Sequence, residues 1–303
     1  MGDCHFGDCY FDDEYDSPMS GFVFFCILGA ALMHALWNIL LKSAADKNLE
    51  TAVANFATAI LALPLLVIYG LPDPQTFPYI ALSIALHLIY FYLVASAYRF
   101  GDLNLAYPIM RGAAPLLTLL FGYVFLREQV SDGVIAGIFL VSAGVILLGL
   151  RKTTSSAHHL KALLFALGNA LVIALYTIVD GHGVRLSNNA WSYVSLLMFS
   201  HGCVFLSLVL WQRHRQQSLP ESFSYIKSRL MYPLIGGTCI IGSYSIALWA
   251  MTQAPISLVA AVRETSVLFA FLFGTLYLKE SPYPQRIIGA LGICLGLILI
   301  RIY

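Results

Sequence analysis

The sequence predicts an all-α membrane protein of ten transmembrane helices, arranged as two inverted five-helix repeats. Three observations carry this. Hydrophobic residues make up 59% of the chain and charged residues only 11%, against about 25% charged in a soluble domain. Ten apolar runs are each long enough to cross a bilayer as a helix, which needs about 20 residues. The text is also duplicated: residues 95–150 and 247–302 match at an offset of 152. Between Arg111 and Leu147 the copies align without a gap, and about a third of positions are identical. Arg111 falls on Arg263, Phe121-Gly122 on Phe273-Gly274, Glu128 on Glu280, Gly137 on Gly289 and Gly144 on Gly296.

The expected crossings lie near 22–42, 51–70, 77–99, 104–126, 131–150, 160–181, 190–211, 230–253, 256–278 and 283–301. The runs are continuous rather than alternating, which excludes barrel strands. Connections are short, the longest being a loop at about 212–229. The expected organisation is an acidic disordered tail (1–20), a first repeat (21–150), a polar linker (151–159) and a second repeat (160–303). Five is an odd number, so copies joined in series enter the membrane in opposite senses. A pseudo-two-fold axis in the membrane plane then relates them.

The tail holds six acidic residues and no Lys or Arg, while the rest of the chain has seventeen basic and ten acidic residues. It lacks the basic start of a secretory signal peptide. Met19 stands just before the first crossing and is an alternative start. Cys26, Cys203, Cys239 and Cys294 fall in apolar runs, where cysteine behaves as a small hydrophobe. Cys4, His5 and Cys9 match no standard zinc spacing, and no metal or cofactor is expected.

Lys and Arg distribute unevenly. Twelve flank the ends after the odd-numbered crossings, including Lys42, Lys47, Arg213, Arg215, Lys227 and Arg229; three (Arg127, Arg185, Arg301) lie at the other side. The positive-inside rule puts the first group in the cytoplasm and both termini outside.

Arg111 and Arg263 are the leading functional residues. Each sits about 12 Å deep in its crossing at 1.5 Å per residue, where insertion costs about 2.5–3.5 kcal/mol. Lining a hydrated cavity, they would hold anionic groups by bidentate hydrogen bonds. The competing reading is a buried ion pair of Arg263 with Glu264 or Asp180. Glu264 either neutralises an arginine or is a proton-coupling carboxylate. His34, Asn38 and Lys42 form a polar column on the first crossing, with Trp37 beside it. Asn38 either lines the cavity or bonds two helices together, and His34 is a proton carrier or a core histidine.

Other polar stripes run through Ser83, His87 and Tyr90 on the third crossing and Tyr107, Arg111, Ala114 and Thr118 on the fourth. The sixth offers Asn169, Ile173, Tyr176 and Asp180; the eighth offers Thr238, Gly242, Ser245, Trp249 and Thr252. Crossings two, five, seven and ten read as structural, with Gly133, Gly137, Gly144, Gly292 and Gly296 allowing close approach. Pro108 and Pro115 interrupt the fourth crossing, whereas their copies are Ala260 and Val267, so the halves differ mechanically.

No P-loop, GxSxG, HExxH or DxD motif is present, which leaves an ATPase, a protease or a glycosyltransferase without support. The five-plus-five pattern, the pairs Arg127-Glu128 and Lys279-Glu280, Pro115, the glycine-rich fifth helices and Gly-Ala-Ala-Leu-Met-His-Ala-Leu-Trp-Asn-Ile-Leu-Leu-Lys (29–42) together resemble the EamA branch of the drug/metabolite transporter superfamily. The likeness spans about 22–301. It implies a basket of ten helices, a cavity lined by crossings one, three, four, six, eight and nine, and alternating access. It also implies cytoplasmic termini, opposite to the charge count.

The expected function is secondary active transport, as an exporter, of a small anionic or amino-acid-like metabolite, without enzymatic activity. The substrate-binding set is Arg111, Arg263, Glu264, His34, Trp37, Asn38, His87, Tyr90, Tyr107, Tyr176 and Trp249. Expected partners are the lipid bilayer, a small-molecule substrate and protons as coupling ion, with no nucleic acid. The expected location is a bacterial inner membrane. The alternative is a membrane-embedded enzyme, or an enzyme partner, acting on lipid head groups through His34, His87 and Glu264.

Overall fold

The computed structural model describes residues 19–100, 103–149, 159–277 and 284–303. Ten helical stretches among them are long and apolar enough to cross a membrane. The first repeat supplies α1 (Gly21–Lys42), α2 (Lys47–Tyr69), α3 (Phe77–Phe100), α4 (Leu103–Leu126) and α5 (Asp132–Gly149). The second supplies α6 (His159–Leu186), α7 (Ala190–Arg215), α8 (Leu219–Arg229), α9 (Met231–Met251), α10 (Ile256–Arg263), α11 (Thr265–Tyr277) and α12 (Pro284–Ile302).

Side-chain caps set several starts. The Ser20 hydroxyl accepts from Val23 N at 3.3 Å, the Asp46 carboxylate from Leu49 N at 3.0 Å, and the Asn189 amide oxygen from Trp191 N at 2.9 Å. Each satisfies an N–H that the first turn leaves without a partner. Gly70, at φ 73°, ends α2 in a conformation that costs glycine little.

The packing carries the two-fold relation. α2 packs on its equivalent α7 and α5 on its equivalent α12, while the α3–α6 contact is mirrored by α1–α9. The α5–α12 seam shows it in atoms. A Cβ on Gly137 would lie 2.8 Å from the Gly296 carbonyl oxygen, and one on Gly144 would lie 2.6 Å from that of Gly289. Gly137 and Gly289 are repeat equivalents, as are Gly144 and Gly296, so each glycine faces the copy of the other. Lipid gives helices no hydrophobic reason to associate, and backbone approach through small residues takes its place.

Two expectations need correction. The stretch 212–229 is not a loop: α7 continues to Arg215, and α8 follows. α8 is tied to α2 by Arg229 Nε donating to Glu50 at 3.0 Å and Tyr225 Oη donating to the same carboxylate at 3.0 Å. Arg213 pairs with Asp46 at 2.6 Å beside them. Secondly, α4 runs unbroken through Pro108 and Pro115, whereas its proline-free copy divides at Glu264 into α10 and α11. There the Glu264 and Val267 N–H groups bond three residues back, to Ala261 and Glu264, and the Thr265 hydroxyl donates to the Val262 carbonyl at 2.8 Å. Side-chain capture of a backbone carbonyl and tighter turns of this kind interrupt a helix. The tail 1–18, the linker 151–158 and the pair Lys279-Glu280 lie outside the described residues.

Candidate functional site

The two repeat-related arginines meet in one cavity. It is lined by Arg111, Pro115 and Thr118 of α4, Tyr176 of α6, Arg263 of α10 and Glu264 at the break. Arg111 Nε stands 2.9 Å from Glu264 Oε2, with side chains 12% and 6% exposed. The Arg111 Nη2 group also donates to Ser266 Oγ at 3.0 Å. The Nε–H is not directed at the carboxylate, and neither Nε nor Oε2 has a hydrogen-bond partner. The pair is held by charge and keeps hydrogen-bonding capacity on both sides.

Arg263 does not pair with its neighbour Glu264. Its guanidinium lies 5.5 Å from the centre of the Tyr244 ring, a cation–π contact. Two guanidinium groups and one carboxylate leave the cavity one positive charge in excess. Tyr107, Tyr176 and Tyr90 surround Arg111 within electrostatic range, and Tyr90 meets Tyr176 edge to face at 6.2 Å. His34 lies in the field of both arginines.

Beside the cavity runs a second buried polar group. Asp180 is wholly buried. It accepts from Tyr193 Oη at 3.1 Å and from Tyr244 Oη. His87 stacks on Tyr176 at 4.2 Å and stands 5.1 Å from His201 and 6.1 Å from Tyr244. Its Nδ1 lies 2.9 Å from the Ser83 carbonyl oxygen, so Nδ1–H donates there.

Three residues expected at the site stand elsewhere. Trp37 is buried between α1 and α9, with Gly236 making room for its ring. Trp249 meets Phe22 edge to face at 6.1 Å, near the start of α1. The Asn38 amide donates to the carbonyl of His34, on its own helix, at 2.7 Å, and Asn38 does not line the arginine cavity. The eighth-crossing stripe is also displaced: Thr238 is exposed, and Tyr244 is the residue that reaches the cavity group. Sequence reading missed Tyr193, His201 and Tyr244. The seventh crossing, read as structural, supplies two of them. Their only signal was a polar tip in a long apolar run, shared by many interfacial aromatics.

At the end of the molecule near Tyr303, Arg185 closes the bundle below the cavity helices. It pairs with Glu128 at 3.0 Å and donates to the carbonyls of Met251 at 2.7 Å and Ala254 at 2.9 Å. Glu128 in turn accepts from Ile256 N at 2.8 Å and from Ser257 N at 3.4 Å, capping α10 from another element. Arg127 takes φ 53°, and Glu128 N donates to the Gly122 carbonyl at 3.0 Å. This is a helix-ending turn with arginine in the place glycine usually takes. Among the described residues no group of three or more His, Cys, Asp or Glu could hold a metal ion; Cys4, His5 and Cys9 lie outside them.

The EamA-like transporter family model matches residues 21–150 and again 160–302. The chain belongs to the EamA-like transporter family. This EamA-like chain is therefore an integral multi-pass membrane protein of a transporter superfamily, built from two repeats. A solved structure described only as "Crystal structure of protein" is similar over 92% of this chain and 94% of its own, with a TM-score of 0.66 and 14% identity. That likeness shows the fold alone. No curated protein matches the EamA-like chain at a significant level.

Proposed function

We propose that the protein is a secondary active exporter of a small anionic or amino-acid-like metabolite, working by alternating access through the cavity between α4, α6 and the broken ninth crossing. The observation that carries the proposal is the convergence of Arg111 and Arg263, from equivalent repeat positions, on one buried cavity with a single carboxylate. A buried excess cation is costly unless a counter-charge arrives, and a carboxylate, phosphonate or phosphate presents the bidentate oxygens that guanidinium groups fit. Glu264 adds an acceptor for a substrate N–H or O–H. A proton gradient supplies the energy.

The test is uptake of labelled carboxylates, amino acids and phosphonates into proteoliposomes, with and without a pH gradient, for wild type and Arg263→Gln. Saturable flux of unchanged solute that the variant loses supports the proposal. Equal flux in the variant sinks the site assignment. No flux of any solute under either gradient sinks the transport reading.

A further inference from the structure

We propose that Asp180 is a proton-binding site, distinct from the arginine cavity and coupled to it through Tyr244. The inference rests on the transport reading above for its purpose, but not for its geometry. Asp180 is wholly buried in α6, and among the described residues no cationic side chain lies within ion-pairing distance. Its carboxylate is met instead by hydroxyls, Tyr193 Oη of α7 at 3.1 Å, Tyr244 Oη of α9 and the Ser83 hydroxyl of α3, with the His87 imidazole close enough to act on it electrostatically.

This choice of partners matters chemically. An arginine in their place could only donate, and would hold Asp180 as an anion in every state. A phenol oxygen donates and accepts. When Asp180 is an anion, both phenols donate to it. When it binds a proton, its new O–H can donate to a phenol oxygen that turns its own hydrogen away. Both protonation states therefore keep their hydrogen bonds, as a buried polar group requires. The charge balance is simple: one proton enters from one side of the membrane, Asp180 passes from −1 to 0, and the same proton leaves to the other side.

Among the described residues, the neighbouring polar and titratable groups come from several helices. α3 brings Tyr79, Ser83 and His87, α7 brings Tyr193 and His201, α9 brings Tyr244, and α6 itself brings Tyr176 and His182. His87 donates through Nδ1 to the Ser83 carbonyl, leaving Nε2 as a lone-pair nitrogen, and its ring stacks on Tyr176, a cavity wall. The cation facing the group from α10 is Arg263, held 5.5 Å over the ring whose hydroxyl bonds Asp180. Tyr244 thus touches the proton site with its oxygen and the substrate arginine with its π face. Protonation reverses that hydrogen bond and removes a negative charge from beside the aromatic partner of Arg263, which is the physical link antiport needs.

Two readouts test this. Potentiometric titration of purified protein in unbuffered detergent between pH 9 and pH 5 counts bound protons without any solute. Asp180→Asn should bind one proton fewer than wild type; equal counts overturn the proposal. In pyranine-loaded proteoliposomes, the ratio of pH-gradient-driven accumulation to solute exchange should fall about ten- to hundredfold in Asp180→Asn. A ratio like that of wild type overturns it. If no solute moves in wild type, the transport reading fails, while the proton count still decides the site. Should Asp180→Asn fail to fold, Tyr193→Phe replaces it. This variant removes a donor that binds the Oδ1 of the anion more strongly than that of the acid, and should displace the midpoint of that proton by roughly half to one pH unit. An unmoved midpoint leaves Asp180 a structural cross-link and overturns the proposal.

Discussion

Glu264 answers Arg111 of the other repeat, Oε2 to Nε at 2.9 Å, although Arg263 is its neighbour in the chain. Successive helical residues point about 100° apart, so Arg263 and Glu264 face different surroundings: one meets Tyr244, the other the fourth crossing. The buried charges therefore cross-link the two repeats rather than cancelling within one.

Breaking that link should be costly. Arg111→Gln or Glu264→Gln alone leaves a buried charge without its partner, worth about 3–5 kcal/mol. The double substitution should lose much less than the sum of the two. Thermal unfolding of the four proteins in detergent measures the coupling; additive losses would mean that the pair contributes no interaction of its own.

Arg263 has a π partner in place of a carboxylate, so Arg263→Gln should fold like wild type and lose anion flux. Arg263→Lys should restore little, because an ammonium group lacks the planar fork. Proteoliposome uptake alongside a melting curve separates the effects. A variant that melts early would return Arg263 to a structural role.

Removing the Glu128 carboxylate uncaps α10 and leaves Arg185 to the carbonyls of Met251 and Ala254. Glu128→Gln should cost about 1–2 kcal/mol and raise amide exchange at Ile256 and Ser257, the N–H groups it now accepts from. Exchange unchanged at those amides would contradict the cap.

The glycine seam gives a graded expectation. Gly144→Ala puts a Cβ 2.6 Å from the Gly289 carbonyl oxygen and should destabilise by about 1–3 kcal/mol. Gly292→Ala meets nothing closer than 3.5 Å and should be nearly silent. Equal effects on melting temperature would show that α5 and α12 do not pack this closely.

Orientation is open to a direct check. The basic end carrying Arg213, Lys227 and Arg229 should face the cytoplasm by the positive-inside rule. Ser224→Cys on the exposed face of α8, in a cysteine-free background, should resist a membrane-impermeant maleimide in intact cells and react after permeabilisation. Labelling in intact cells would reverse the orientation and favour the termini placement that the family resemblance implies.

The sequence by itself determined the membrane class, the ten crossings, the two repeats and the glycines that allow close approach, though not which helices they join. These depend on composition, run length and spacing along one chain, which are local properties. It also singled out Arg111, Arg263, Glu264 and Tyr176, because a charge or an aromatic stripe in an apolar run is conspicuous. Partners were another matter. That Glu264 serves Arg111, that Asp180 is held by Tyr193 and Tyr244, and that Trp37 and Trp249 pack away from the cavity all depend on how helices rotate and cross. A rotation of some 50° turns a cavity residue into a seam residue without changing a letter. The break at Glu264 shows the same limit. Proline marked the fourth crossing for interruption, yet packing kept α4 continuous and divided its proline-free copy, because the hydrogen bonds available to a backbone in lipid are decided by its neighbours.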